Sequence, residues 1–340
     1  MKKLKSLLII FLMIVCNFNI CFGFSENYTW SVLDSSITAS TPLTEPEQVL
    51  DNNSLNLEAG AAILIEQNSG QILYGYNVHE RLHPASVTKV MSLLLIMEAL
   101  DSGKITLDTQ IPCSTNAASM GGSQIWLDTR ETLNVNDMLK AIAVVSANDC
   151  VVALAEYLGG TEEGFVQMMN DKAKELGMND TTFKNCHGLD EDDHLTSAYD
   201  IALMSRELLT KHPNITKYTT IWMDSLRDGK SQLVNTNKLI KTYDGMDGLK
   251  TGYTKEAGYC LTATAKRNNM RLIGVIMGEE TSAKRNEEMS KMLDYGFNLY
   301  TVKGYLTTKT KVGTFKNDKS KTGRVNVVPT QDINVLNKKG

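Results

Sequence analysis

Strand-forming hairpins stand near both ends of a long helical stretch, and this placement restricts the chain to few architectures. Ala61 to Glu66, a turn at Asn68-Ser69-Gly70 and a second run from Gln71 to Tyr76 read as a β-hairpin. Pro84 then precedes a pattern in which Val90, Leu93, Leu94, Met97 and Leu100 recur at helical spacing, ending near Gly103. Helical periodicity dominates from Leu133 to Leu209, with helices expected near 135–158, 161–176 and 198–210. Strands return at Tyr259 to Ala265 and Arg271 to Met277, joined by a turn at Asn268-Asn269. A last helix carries Met289, Met292, Leu293, Phe297 and Tyr300 along one side. The expected fold is α/β (α+β): an antiparallel sheet flanked by helices, with an all-helical lobe inserted between its strands. The boundary between the two lobes is a natural cleft.

The ends of the chain bear on where it works. Lys2, Lys3 and Lys5, the apolar run Leu7 to Val15, and Cys21 and Gly23 read as a secretory signal peptide over residues 1–23. Asn17 and Asn19 interrupt the run too early for the roughly 17–25 apolar residues of a membrane span. Cys16 follows Val15, not a small residue, so a lipid-anchored cysteine is not expected. Export to an extracellular or cell-envelope location is the expectation. Residues 24–56, rich in Ser, Thr, Asn and Glu, read as a flexible lead-in.

The formal net charge of −4 gives no basis for nucleic-acid binding. Nine Lys or Arg against two Asp in residues 301–340 nevertheless leave that segment at +7, which suits contact with a membrane surface or an anionic wall polymer as well as a plain solvated face. Cys113, Cys150, Cys186 and Cys260 follow the signal segment. Export permits disulfides among them, while the apolar runs around Cys150 and Cys260 favour buried free thiols. Neither the cysteines nor the scattered histidines have metal-ligand spacing, so neither metal nor cofactor is expected.

Three short strings can build one catalytic centre. In Ser86-Val87-Thr88-Lys89, the serine and lysine lie three apart on one face of the helix that follows Pro84. A serine hydroxyl needs a base within hydrogen-bond reach, and Lys89 serves if desolvation and a second cation, Lys250, keep it partly neutral. In Ser146-Ala147-Asn148, polar residues interrupt an apolar run, which favours a cleft lining over a core position. Ser146 is placed to relay a proton to the leaving amine, and Asn148 to fix Lys89 and the substrate amide. In Lys250-Thr251-Gly252, an edge strand lets Lys250 and Thr251 meet a substrate carboxylate, and Gly252 allows close backbone approach. The N–H groups of Ser86 and Tyr253 then form an oxyanion hole. A duplicate, Lys321-Thr322-Gly323, lies in a charged run and is set aside on that ground.

From about Leu57 to Tyr300 the chain resembles the secreted serine-type D-alanyl-D-alanine carboxypeptidases, the low-molecular-mass penicillin-binding proteins of the peptidase S11 type. Besides the three strings, the resemblance rests on His83-Pro84-Ala85-Ser86, Gly122-Ser123-Gln124, Glu156-Tyr157-Leu158-Gly159-Gly160, Leu176-Gly177-Met178, His187-Gly188-Leu189, Ala198-Tyr199-Asp200 and Ala257-Gly258-Tyr259. It implies a penicillin-binding/β-lactamase-like transpeptidase fold over a D,D-peptidase domain at 57–300. It also implies peptidoglycan stem peptides ending in D-Ala-D-Ala as substrate, attack by Ser86, release of the last D-alanine, hydrolysis of the acyl-enzyme, and acylation by β-lactam antibiotics. Arg285 resembles the family arginine that helps hold the terminal carboxylate. The family commonly adds a complete β-rich domain and an amphipathic membrane helix, whereas 301–340 resembles only part of such a domain.

Two other readings differ in what they require. A serine β-lactamase needs a carboxylate that primes water for fast deacylation, and Asp190-Glu191-Asp192-Asp193 is the candidate, with solvated turn surface as its plainer explanation. A non-catalytic β-lactam- or wall-binding protein would have no need of the complete Ser, Lys, Ser, Asn, Lys set.

Overall fold

A computed structural model describes Leu43 and residues 54–317, 319–330 and 332–339. The signal segment and nearly all of the lead-in lie outside the described residues. The chain divides into two units, one of Ala39–Thr301 with Leu336–Gly340, the other including Val302–Val335.

In the larger unit, strands β1 (Ala61–Glu66), β2 (Ile72–Tyr76), β3 (Met246–Thr254), β4 (Gly258–Arg267) and β5 (Met270–Glu279) form one sheet in the order β2-β1-β5-β4-β3. All neighbours are antiparallel, with Ile63 opposite Val275 and Lys250 opposite Thr262. The terminal hairpins are thus joined through β1 and β5, and everything between β2 and β3 is inserted. Strand β1 is buried along its whole length because both sheet faces are covered. Ile63, Ile65, Ile273 and Val275 join the core shared with the inserted helices. Their alternates Leu64 and Leu272 face the other way, where α6 (Ser282–Leu299) packs with Met289, Met292 and Leu293 buried. Each such apolar side chain contributes about 2 kcal/mol on burial.

The inserted lobe contains α1 (Lys89–Asp101), α2 (Val135–Val145), α3 (Asn148–Gly159), α4 (Glu162–Glu175) and α5 (Ala198–Lys211). Residues Lys89 to Met97 of α1 are buried without a break, so this helix is enclosed on all sides and carries Lys89 inside with it. Helix α5 links lobe and sheet: Ser205 Oγ lies 3.0 Å from Thr262 Oγ1, and Arg206 Nε donates to Gln67 O in the β1–β2 turn at 2.7 Å. The helix expected at 135–158 is two helices. Ser146 adopts φ 66°, ψ 34°, a left-handed conformation that ends α2, and α3 starts at Asn148. Periodicity continues through the break, so apolar spacing alone does not register it. The four cysteines are free and buried.

In the smaller unit, Gly313–Lys316 pairs antiparallel with Arg324–Val327. No helix among the described residues is long and apolar enough to cross a membrane.

At the end of β5, burial and a hydrogen-bonded neighbour, Glu288, raise the pKa of Glu279 to about 8. Glu288 in turn accepts from the N–H groups of Glu58 and Ala59 at 2.8 and 3.3 Å. The folded chain therefore holds a proton on Glu279 that the unfolded chain releases near 4.5, and this group's contribution to stability falls as pH rises from about 4.5 to 8. Glu279→Gln is expected to flatten the decline of the melting temperature between pH 5 and 8. A variant whose melting temperature declines as steeply as the wild type's would assign that decline to other groups.

Candidate active site

Ser86 lies in a short 3-10 turn, Ala85–Thr88, that runs directly into α1, so it precedes the α-helix and does not open it. Lys89, the first residue of α1, points back along the helix and donates from Nζ to Ser86 Oγ at 2.9 Å and to His187 O at 2.6 Å. Its side chain is fully buried, and burial lowers its pKa to about 7 against weaker opposing effects of Cys186 and Asp149. Desolvation is the largest cause, and the repulsion between Lys89 and Lys250 is shared by the pair. Lys250 is pushed well below the ordinary lysine range by burial, then by Lys89 and Arg285.

Lys250 stands mid-strand on β3, the sheet edge that faces the turn bearing Ser86. Its Nζ donates to Thr251 O at 2.8 Å. Arg285, in the first turn of α6, is 4% exposed, and its guanidinium donates to the neutral Asn286 Oδ1 at 2.9 and 3.2 Å. Among the described residues no carboxylate pairs with Lys89, Lys250 or Arg285. Buried basic groups without a counter-ion are costly to charge, and an arriving anion lowers that cost.

Strand β3 also touches the turn that bears Ser86. A Cβ on Gly252 would lie 2.9 Å from Pro84 O and 3.0 Å from Ser86 N, so only glycine permits this approach. Thr251 is buried and its hydroxyl donates to Thr236 Oγ1 at 2.7 Å. Tyr253 is exposed, its ring 4.3 Å from that of Tyr259. On the helical side, Asn148 donates from Nδ2 to Gly121 O and from its backbone N–H to Ser123 O, both at 2.7 Å. Ser146 Oγ and Asn148 Oδ1 are buried and have no hydrogen-bond partner among the described residues. Buried polar atoms of this kind call for a partner such as a water or a ligand.

Several supporting residues escaped the sequence reading. The Asp149 carboxylate accepts from the N–H groups of Ile125, Leu127 and Cys150 at 3.1, 3.0 and 2.9 Å, while Arg227 donates to Ile125 O at 2.7 Å. Together they hold the 121–127 loop beside Asn148. Asp149 follows Asn148 in the same apolar run, so the argument that singled out Asn148 applies to it equally. Arg227 has no comparable signal, because its partners are remote in sequence. The His187-Gly188 turn supplies the carbonyl that receives Lys89, and Gly188 adopts φ 88° with its Cα facing Ala85 O.

The acidic loop contributes no carboxylate to this constellation. Glu191, Asp192 and Asp193 are exposed, and Asp190 accepts from Thr254 Oγ1 at 2.6 Å. The duplicate Lys321-Thr322-Gly323 forms part of the turn between the strands Gly313–Lys316 and Arg324–Val327 of the smaller unit, with Lys321 exposed.

An antiparallel sheet with an inserted helical lobe, and a half-buried serine hydrogen-bonded to a buried lysine at their junction, define a transpeptidase-like serine acyltransferase class. The sequence profile of peptidase S11, D-alanyl-D-alanine carboxypeptidase, matches residues 47–281. The chain is 51% identical over 286 residues to D-alanyl-D-alanine carboxypeptidase DacF of Bacillus subtilis, covering 83% of this chain and 73% of that protein. Penicillin-binding protein 5 of Haemophilus influenzae superposes with a TM-score of 0.75 at 31% identity, over 84% of this chain and 83% of that one. Penicillin-binding protein D2 of Listeria monocytogenes, solved in an ampicillin-bound form, superposes with a TM-score of 0.66 at 33% identity, over 72% of this chain and 99% of that one. The chain belongs to the S11 family of D-alanyl-D-alanine carboxypeptidases.

Lys250→Ala is expected to lower kcat/KM on a D-Ala-D-Ala peptide by at least ~100-fold, and Lys321→Ala to leave it within about twofold. Equal damage from the two substitutions would place the active lysine wrongly. Gly252→Ala is expected to impair turnover, because β3 and the turn bearing Ser86 must move apart to admit the Cβ; turnover at the wild-type level would contradict that close approach.

Proposed function

We propose that Ser86 is the nucleophile and Lys89 the base of this serine-type D,D-carboxypeptidase, acting on peptidoglycan stem peptides that end in D-Ala-D-Ala. The observation that carries the reading is the Ser86–Lys89 contact beside two further buried basic groups, Lys250 and Arg285, that have no carboxylate partner among the described residues. The terminal carboxylate of the substrate supplies the missing negative charge and is held there with the help of Thr251. A substrate held so would present its penultimate carbonyl to Ser86 Oγ.

Neutral Lys89 takes the Ser86 hydroxyl proton as Oγ attacks the carbonyl carbon. The resulting oxyanion is received by the N–H groups of Ser86 and Tyr253, each such donor being worth about 3 kcal/mol. Collapse breaks the peptide bond, and the departing D-alanine amine takes a proton from Lys89, passed through the hydroxyl of Ser146. Asn148 holds the substrate amide. Water then attacks the ester, giving a proton to Lys89, and Ser86 recovers its own as the shortened peptide leaves. A β-lactam presents a strained amide and a carboxylate in a similar relation and acylates Ser86; the ampicillin-bound relative supports this.

The carboxylate that acts on Lys89, Asp149, is occupied by backbone N–H groups, and the acidic loop is solvent-facing, which favours slow over rapid β-lactam deacylation. The N-terminal signal pattern supports export to the cell envelope, and the +7 charge of residues 301–340 supports contact there with anionic polymer or head groups.

Full-length protein after signal removal should release D-alanine from a diacylated L-Lys-D-Ala-D-Ala peptide, and Ser86→Ala should release none. Release by that variant would move the nucleophile elsewhere. Because the neutral form of Lys89 acts, kcat/KM should rise with pH through about 7 and fall on the acid side as the ammonium forms. A flat profile between pH 5 and 8 would remove Lys89 from the role of base.

A further inference from the structure

Behind Ser86 lies a chain of hydrogen bonds that the reaction scheme above does not use. The N–H of Lys184 donates to His194 Nδ1 at 3.0 Å, which leaves Nε2 of the neutral imidazole carrying the proton. His194 Nε2 lies 2.8 Å from Thr88 Oγ1, and Thr88 Oγ1 donates to Ala85 O, also at 2.8 Å. Every acceptor and donor in this series has one consistent direction, from Lys184 through His194 and Thr88 to Ala85. His194 is 2% exposed and Thr88 fully buried. Burial lowers the His194 pKa to about 4, so the ring stays neutral over the working range.

The end of the chain gives it meaning. Ala85 O and the Ser86 N–H belong to one planar peptide unit and point in opposite directions. Ala85 itself adopts φ 47°, a sparsely occupied conformation for a residue with a side chain, so its backbone orientation must be held by its surroundings. Gly188 leaves room beside the same carbonyl: a Cβ there would stand 1.9 Å from Ala85 O and 2.8 Å from Thr88 Oγ1. Anchoring the carbonyl on the far side therefore aims the N–H into the cleft, and a hydrogen bond to the carbonyl polarises that N–H further.

We infer that Thr88 and His194 are positioning residues that orient and polarise the Ala85–Ser86 peptide so that the Ser86 N–H serves as an oxyanion donor. The inference rests on the reading of Ser86 as nucleophile. Thr88 contributes its hydroxyl, His194 fixes the direction in which that hydroxyl donates, and neither touches substrate.

The test uses Thr88→Val, which keeps the shape and removes the hydroxyl, Thr88→Ser, which retains it, and His194→Ala. Acylation of the full chain by a fluorescent penicillin is followed before the steady state, separating the dissociation constant of the first complex from the acylation rate. The expected result is an acylation rate about 10- to 100-fold lower in Thr88→Val and His194→Ala, near wild type in Thr88→Ser, with the dissociation constant within about twofold and the acid limb near pH 7 unmoved. An acylation rate for Thr88→Val within about twofold of wild type would overturn the inference, as would a loss expressed in the dissociation constant alone. Absence of acylation in the wild type would overturn the assignment of Ser86 itself and this inference with it.

Discussion

Burial of the Lys89 ammonium removes the hydration that holds a lysine near its ordinary pKa, and the architecture of the larger unit maintains that burial. Helix α1 is buried without a break from Lys89 to Met97, and Lys89 opens that run. The Lys89 amine is therefore tuned chiefly by packing. A helix with one solvent-facing stripe would give the same Ser-x-x-Lys spacing and a charged, inert lysine.

The cleft combines two sources of unease that a substrate resolves together. Lys250 and Arg285 are buried cations without a carboxylate partner, and Ser146 Oγ and Asn148 Oδ1 are buried polar atoms without a hydrogen bond among the described residues. A peptide ending in a free carboxylate answers the charges on the sheet side, and its amides answer the polar atoms on the helical side. The scaffold tolerates these local costs because they are embedded in a rigid frame: the edge strand pressed against Ser86 at Gly252, the loop tied to Asp149, and the turn at His187-Gly188. Active sites commonly concentrate such features.

Much of this arrangement was legible in the sequence because it is local or periodic. Ser86 and Lys89 are three residues apart on one helical path, the terminal hairpins are contiguous, and Ser146 and Asn148 stand out as polar residues in an apolar run. The break at Ser146 was not legible, since the apolar spacing of α2 runs on into α3 and a serine carries no glycine-like signal for a left-handed turn. Nor were the long-range ties visible, such as Arg227 to Ile125 or His194 to Thr88, because a hydrogen bond between residues about a hundred positions apart leaves no mark on either stretch. The weight of desolvation was not legible either, since it depends on how completely the packed chain encloses Lys89.

Direct titration of the Lys89 amine by NMR of isotopically labelled lysine, assigned with Lys89→Arg, bears most closely on this account. A midpoint near pH 7 in the substrate-free protein is predicted. An amine that stays protonated above about pH 9, close to the value of a free lysine, would contradict the claim that burial makes Lys89 the base.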